Sequence, residues 1–152
     1  MNGILDIERR LEQIIVEGPE TVTPSDLLQL GENMLCCWVE AKGETPTKEE
    51  REGFRLLALH RQGAKGDPSF NACRETCREL VYHYNLLSEP VDQDDEEAVT
   101  KFNSDLKMMA LVANHLCLFI SGKMQVTELG DFCCSSSPVR NDLNELSEVN
   151  NA

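Results

Sequence analysis

The segment of residues 95–121 constrains the fold of this 152-residue chain more than any other, because its second half is apolar on every side. Apolar residues recur along it at helical spacing, and the most apolar part runs from Met108 to Ile120. A run of this length is too short to cross a bilayer as a helix. The pattern therefore predicts a buried helix at the centre of a helical domain.

Helix-start and helix-stop signals precede this segment. Gly18-Pro19 ends a first periodic stretch, and Thr23-Pro24-Ser25-Asp26 combines an N-cap, a proline at the first helical position and a carboxylate at the third. This second helix is predicted to run to about Lys42. Gly43 then takes the left-handed conformation that favours glycine.

Two more helices are predicted between Gly43 and the central segment. Thr47-Lys48-Glu49-Glu50 matches a capping box and predicts a third helix that stops before Gly63. Asp67-Pro68 is typical of the start of a fourth, and the acidic run of residues 92–97 suits the N-terminus of a fifth.

The expected fold is an all-α, single-domain bundle of about five helices around the central helix at 95–121, because strand patterns are nearly absent. Residues 1–130 are expected to form the helical domain. Gly122 is expected to end the central helix. Residues 131–152 are predicted to be a loop followed by a weak terminal helix near 143–149, or a disordered tail.

The prolines at 24, 46, 68 and 90 stand 22 residues apart, each near a predicted helix start. A duplicated helix-and-turn unit would produce this spacing. The side chains between the prolines do not match well, which favours helices of similar length over a repeat.

The net charge of −13 limits the partners of the chain. A field of this sign repels nucleic-acid backbones and anionic lipid, and it favours cationic partners. The N-terminus lacks an apolar signal core behind basic residues. We therefore expect a cytoplasmic protein with a protein partner, possibly a basic one, and no membrane contact.

Seven cysteines, an odd number, are expected to be reduced thiols that serve mainly as packing. Cys73 and Cys77 share one helix face, and with Cys37 and Cys117 they are the candidate soft-metal ligands. His83 is a further candidate. No Cys-x-x-Cys knuckle accompanies them, so we expect no metal or other cofactor. Cys133-Cys134 is predicted to lie in an ordinary loop.

Signatures of catalysis are not found in the sequence. Its three histidines, His60, His83 and His115, match no haem, di-iron or zinc-hydrolase motif, and no phosphate-binding loop is present. His115, on the central helix, is expected to be a hydrogen-bonded core residue. The chain is therefore not expected to be an enzyme.

The only basic stretch runs from residue 51 to residue 78. An acidic peptide or a phosphate group could bind there, or the stretch could be a solvated face with ion pairs such as Glu75–Arg78. The candidate partner-binding cations are Arg51, Arg55, Arg61, Lys65, Arg74 and Arg78.

These features favour a non-catalytic protein-binding domain: a small acidic adaptor, chaperone, immunity or viral accessory protein. Excess apolar surface on the fifth helix predicts self-association, most simply as a homodimer. The alternatives are a thiolate metal-binding or redox protein, and a nucleic-acid-related factor that uses the basic stretch or mimics DNA.

Overall fold

The computed structural model describes residues 3–18 and 21–133, with side chains as far as residue 126. Over these ranges it contains five α-helices and no β-strand, which confirms the predicted all-α bundle. Residues 1–120 form one compact unit, and a second unit begins at Ser121. The helices are α1 (Ile4–Glu17), α2 (Pro24–Ala41), α3 (Leu56–Ala64), α4 (Arg74–Leu87) and α5 (Glu96–Cys133).

The start of α2 has the N-cap and the proline that the sequence predicts, and Thr23 and Asp26 form a capping box there. The Thr23 hydroxyl accepts from the backbone N–H of Asp26 at 3.1 Å, and the Asp26 carboxylate accepts from the backbone N–H of Thr23 at 3.0 Å. The helix ends at Ala41, and Gly43 follows with φ +83°. Local capping thus fixes both ends of α2.

The third helix begins at Leu56, eight residues later than the capping-box pattern at Thr47 predicts, so that prediction is wrong. The Thr47 hydroxyl instead accepts from the backbone N–H of Glu49 at 3.1 Å, two residues on. Glu52 and Gly53 then both adopt positive φ in a turn closed by backbone hydrogen bonds between Arg51 and Phe54. Left-handed residues cannot continue a right-handed helix, which is why α3 starts only after this turn.

Asp67-Pro68 begins a 3-10 helix, Pro68–Cys73, rather than α4 itself, which follows at Arg74. The Ser69 hydroxyl donates to the Asp67 carboxylate at 2.6 Å in its first turn. This tighter segment carries Phe70 and Cys73 into the core.

The long helix α5 begins where the Asp95 carboxylate accepts from the backbone N–H of Ala98 at 3.1 Å. It continues through Gly122, so the predicted end at Gly122 is wrong. A Cβ added at Gly122 would meet no atom within 4 Å. The predicted loop of residues 131–138 and the terminal helix near 143–149 lie outside the described residues, except that residues 131–133 are helical.

One face of α5 is buried, at positions three or four residues apart. His115 falls between them and is exposed, so the prediction of a core histidine there is wrong. The buried histidine is His60, which is 4% exposed. The buried face of α5 consists of Leu106, Met109, Ala110, Ala113, Leu116, Cys117 and Ile120.

By length and composition, α5 also meets a criterion for a membrane span. An apolar window within residues 96–126 has a mean hydropathy of 1.2, and 39% of it is buried. Core helices of soluble proteins meet the same criterion. One face of α5 is buried in the bundle, and the ring centroids of Phe119 and Phe70 are 5.7 Å apart.

Phe70 is the aromatic centre of the bundle and is fully buried. Its ring stacks on Trp38 of α2, with centroids 4.9 Å apart and planes inclined by 4°. The ring of His60 on α3 stacks on it at 5.4 Å. One residue of the 3-10 helix thereby joins α2, α3 and α5.

Candidate functional site

A groove with a volume of about 1130 Å³ lies between α3, the start of α4 and the loop that precedes α3. We call it the basic groove. Leu57, Ala58 and His60 contribute to it from α3, and Asn71 from the 3-10 helix. Its cationic lining residues are Arg51, Arg61, Lys65, Arg74 and Arg78.

The charges of the basic groove oppose the net charge of the chain. The five cations outnumber the three lining carboxylates, which are Glu44, Glu49 and Glu52. Arg51 forms a long, exposed ion pair with Glu49 at 3.8 Å. The other four cations form no ion pair with any residue that the structure describes, and the expected Glu75–Arg78 pair is not formed.

Arg55 is the one predicted partner-binding cation that does not line the basic groove. Its guanidinium donates twice to the carbonyl oxygen of Thr47, at 3.1 and 2.9 Å, and once to the sulfur of Cys36 at 3.7 Å. Its backbone N–H donates to the Glu32 carboxylate at 2.8 Å. Arg55 thus holds the loop beside the groove in place.

The C-terminal end of α3, which Lys65 follows, is anchored to α2 and to Lys42 just after it. The indole N–H of Trp38 and the ammonium of Lys42 both donate to the carbonyl oxygen of Gly63, each at 2.9 Å. Lys42 also donates to the carbonyl oxygen of Lys65 at 2.8 Å. A cation at a helix C-terminus satisfies carbonyls that the helix leaves unpaired.

His60, Cys73 and Cys77 form a second feature, which we call the thiol cluster. Their sulfur and ring nitrogen atoms lie within 4.8 Å of one another, and all three residues are buried. His60 Nε2 and the Cys73 thiol both contact the carbonyl oxygen of Phe70, at 3.2 and 3.3 Å. Of the three, only His60 lines the basic groove.

The two thiols of this cluster differ in pKa. A hydrogen bond from Cys77, aided by the hydrogen bond and charge of His60, outweighs burial and lowers the pKa of Cys73 to about 6. The same hydrogen bond, together with burial, raises the pKa of Cys77 well above its usual value. Of the two thiols, Cys73 is therefore the one that ionises more readily.

The four candidate metal ligands do not form a single group within the described residues. Cys73 and Cys77 meet, but the partner that joins them is His60. Cys37 and Cys117 lie outside this cluster, and burial, with smaller contributions from Glu8 and Cys37, raises the pKa of Cys117 to about 12. His83 is also outside the cluster, and its buried Nδ1 has no hydrogen-bond partner among the described residues.

No family model, no curated protein and no solved structure matches this chain.

Proposed function

We propose that this chain is a non-catalytic protein-binding domain that holds an acidic segment of a partner in the basic groove. The observation that carries the proposal is the set of four groove cations without an ion pair: Arg61, Lys65, Arg74 and Arg78. In a chain of net charge −13, cations without carboxylate partners on one concave surface favour an anionic ligand at that surface.

The lining of the groove favours an acidic peptide over a small apolar molecule as its ligand. Small-molecule sites are enclosed and mostly apolar, whereas charged and polar side chains make up most of this lining. Arg74 and Arg78 lie one helical turn apart on α4, so they can contact successive acidic residues of a peptide.

Burial of Cys73 supports a non-catalytic role. A nucleophile must reach its substrate, and Cys73, the thiol with the lowered pKa, is 2% exposed and does not line the groove.

Calorimetry with a synthetic Asp- and Glu-rich peptide tests the groove. We expect binding that weakens as salt is raised, and roughly tenfold weaker binding after Arg74→Glu and Arg78→Glu together. Arg9→Glu and Lys107→Glu, elsewhere on the surface, change the net charge equally and should reduce binding much less. Equal losses in the two double variants would contradict a localised site. Tighter binding of a DNA oligonucleotide than of the peptide would favour the nucleic-acid alternative.

We further propose that the chain self-associates through an apolar stripe on α5, formed by Met108, Leu111 and Leu118. These side chains are 52%, 42% and 52% exposed. Their positions, with 115 between them, follow the alternating three- and four-residue spacing of a coiled-coil seam. Such a stripe favours a homodimer in which α5 of one copy packs on α5 of the other.

Light scattering tests the dimer. Leu111→Glu with Leu118→Glu should give a monomer, while Leu5→Glu with Val16→Glu, on exposed positions of α1, should leave the mass unchanged. A monomer before any substitution would refute the dimer and leave the groove proposal unaffected.

A further inference from the structure

We propose that His60, Cys73 and Cys77 form a buried three-ligand site for a soft d10 metal ion, Cu(I) or Zn(II). The site rests on the geometry of the thiol cluster and is independent of the groove's ligand. Two sulfurs and an imidazole nitrogen are the donors that these ions prefer.

The distances suit a single ion. Metal–sulfur bonds of about 2.3 Å and metal–nitrogen bonds of about 2.0 Å place neighbouring ligand atoms about 4 Å apart. The three donor atoms already lie within 4.8 Å of one another, so side-chain adjustments of about 1 Å would bring them to that spacing.

The hydrogen bonds of His60 leave a nitrogen for the metal. A carbonyl oxygen can only accept, so Nε2 of His60 must carry the proton that it shares with Phe70. In the neutral ring Nδ1 then has a free lone pair. A histidine ligand whose other ring nitrogen donates to a backbone carbonyl is the usual arrangement at metal sites, because it fixes the tautomer and the ring orientation.

Burial also fits. Cys73 and Cys77 are 2% and 0% exposed, which shields the sulfurs from oxidants.

The number of ligands bears on which ion binds. No fourth His, Cys, Asp or Glu joins the three within the described side chains. Cu(I) is satisfied by three soft ligands. Zn(II) with three protein ligands keeps a fourth position for water or an anion.

Metal titration of the full chain tests the site. Cys133 and Cys134 are replaced by serine throughout, because their side chains are outside the described set and could bind metal themselves. Zn(II) and Cu(I) are added separately, each in competition with a chromophoric chelator. We expect one equivalent of at least one ion to bind. Cys73→Ala with Cys77→Ala should weaken that binding by roughly a hundredfold or more.

Matched removal of two other thiols, Cys36→Ala with Cys37→Ala, should change the affinity by less than about threefold. The proposal would be overturned if the two double variants lost metal affinity equally. It would also be overturned if several equivalents of metal bound weakly and neither double variant changed that binding.

X-ray absorption of the metal-loaded chain keeps the proposal testable should the Cys73 and Cys77 variant fail to fold. We expect two sulfurs and one imidazole nitrogen around the ion. A shell without sulfur, or with three or more sulfurs, would overturn the proposal. The more tightly bound of the two ions identifies which one the site selects.

Discussion

The indole N–H of Trp38 donates a 2.9 Å hydrogen bond to the carbonyl oxygen of Gly63. A Cβ added at Gly63 would lie 2.7 Å from Cδ1 of Trp38 and 3.2 Å from Cε2 of Phe70. Both rings are buried and stacked on each other. Glycine at position 63 is therefore required by close packing rather than by an unusual backbone angle.

Gly63→Ala should lower the free energy of unfolding by about 1–3 kcal/mol, because overpacking displaces Trp38 and Phe70. Gly122→Ala is the matched control, since Gly122 is also helical and an alanine there meets nothing. That change should be neutral or stabilise the chain by up to about 1 kcal/mol. Urea unfolding followed by circular dichroism measures both. A stabilised Gly63→Ala would contradict the tight contact.

Thr23→Ala should destabilise the chain by about 1 kcal/mol, because it leaves the backbone N–H of Asp26 at the start of α2 without its acceptor. Ser25→Ala, two positions on and exposed, should change the free energy of unfolding by less than about 0.5 kcal/mol. The thermal midpoints of the two variants give the comparison. Equal thermal midpoints for the two variants would show that the capping box does not contribute to the stability of the chain.

Glu32→Ala should cost about 1–3 kcal/mol, because Glu32 is 9% exposed and accepts from the backbone N–H of Arg55 at 2.8 Å. Glu32→Gln keeps an acceptor oxygen and should cost less. Arg55 holds the loop beside the basic groove, so the alanine variant should also bind the acidic peptide more weakly. Urea unfolding and peptide calorimetry measure the two effects. Similar losses from Gln and Ala would attribute the role to the charge of Glu32.

Cys117 should make the chain less stable in alkali. Burial, with Glu8 and Cys37, raises the pKa of this thiol to about 12 from an ordinary 9.0. Between these values the unfolded chain loses the proton and the folded chain keeps it, so the free energy of unfolding falls as pH rises above 9. From one thiol, the unfolding equilibrium constant can rise by at most about tenfold per pH unit.

Cys117→Ala should remove this part of the alkaline loss. Urea unfolding at pH 7 and at pH 10 gives the difference for the unsubstituted chain and for the variant, and groups other than Cys117 contribute equally to both. The same difference in the two proteins would show that Cys117 ionises normally in the folded state.

Local signals in the sequence predict much of the fold. The proline and capping residues at Thr23 and the glycine at 43 act within one helical turn, so α2 is predicted almost to the residue. The capping pattern at Thr47 fails because a competing local structure, the left-handed turn at Glu52 and Gly53, follows it within the same segment. A pattern of four residues cannot show which of two local structures is the more stable.

The candidate site is less accessible to sequence reasoning. Cys73 and Cys77 are one turn apart on a helix, so their proximity is predictable. His60 joins them only because α3 packs against the 3-10 helix, and no spacing along the chain signals that contact. The error at His115 has a related cause. A helix that is apolar all round does not reveal which of its faces is buried.

Of the six cations in the basic stretch, five line the groove and Arg55 does not. Their clustering along the chain makes a shared surface predictable. The difference at Arg55 depends on the carbonyl oxygen of Thr47, which the folded loop places within its reach.

The stacking of Trp38 on Phe70 also gives the molecule an optical reporter of its own, because the chain contains one tryptophan. The indole ring is 2% exposed to solvent, is hydrogen-bonded to α3 and contacts Phe70. The carbonyl oxygen of Phe70 in turn contacts His60 and Cys73. An ion bound at the proposed thiol site would change the surroundings of this one fluorophore, so its binding could be followed without an attached label.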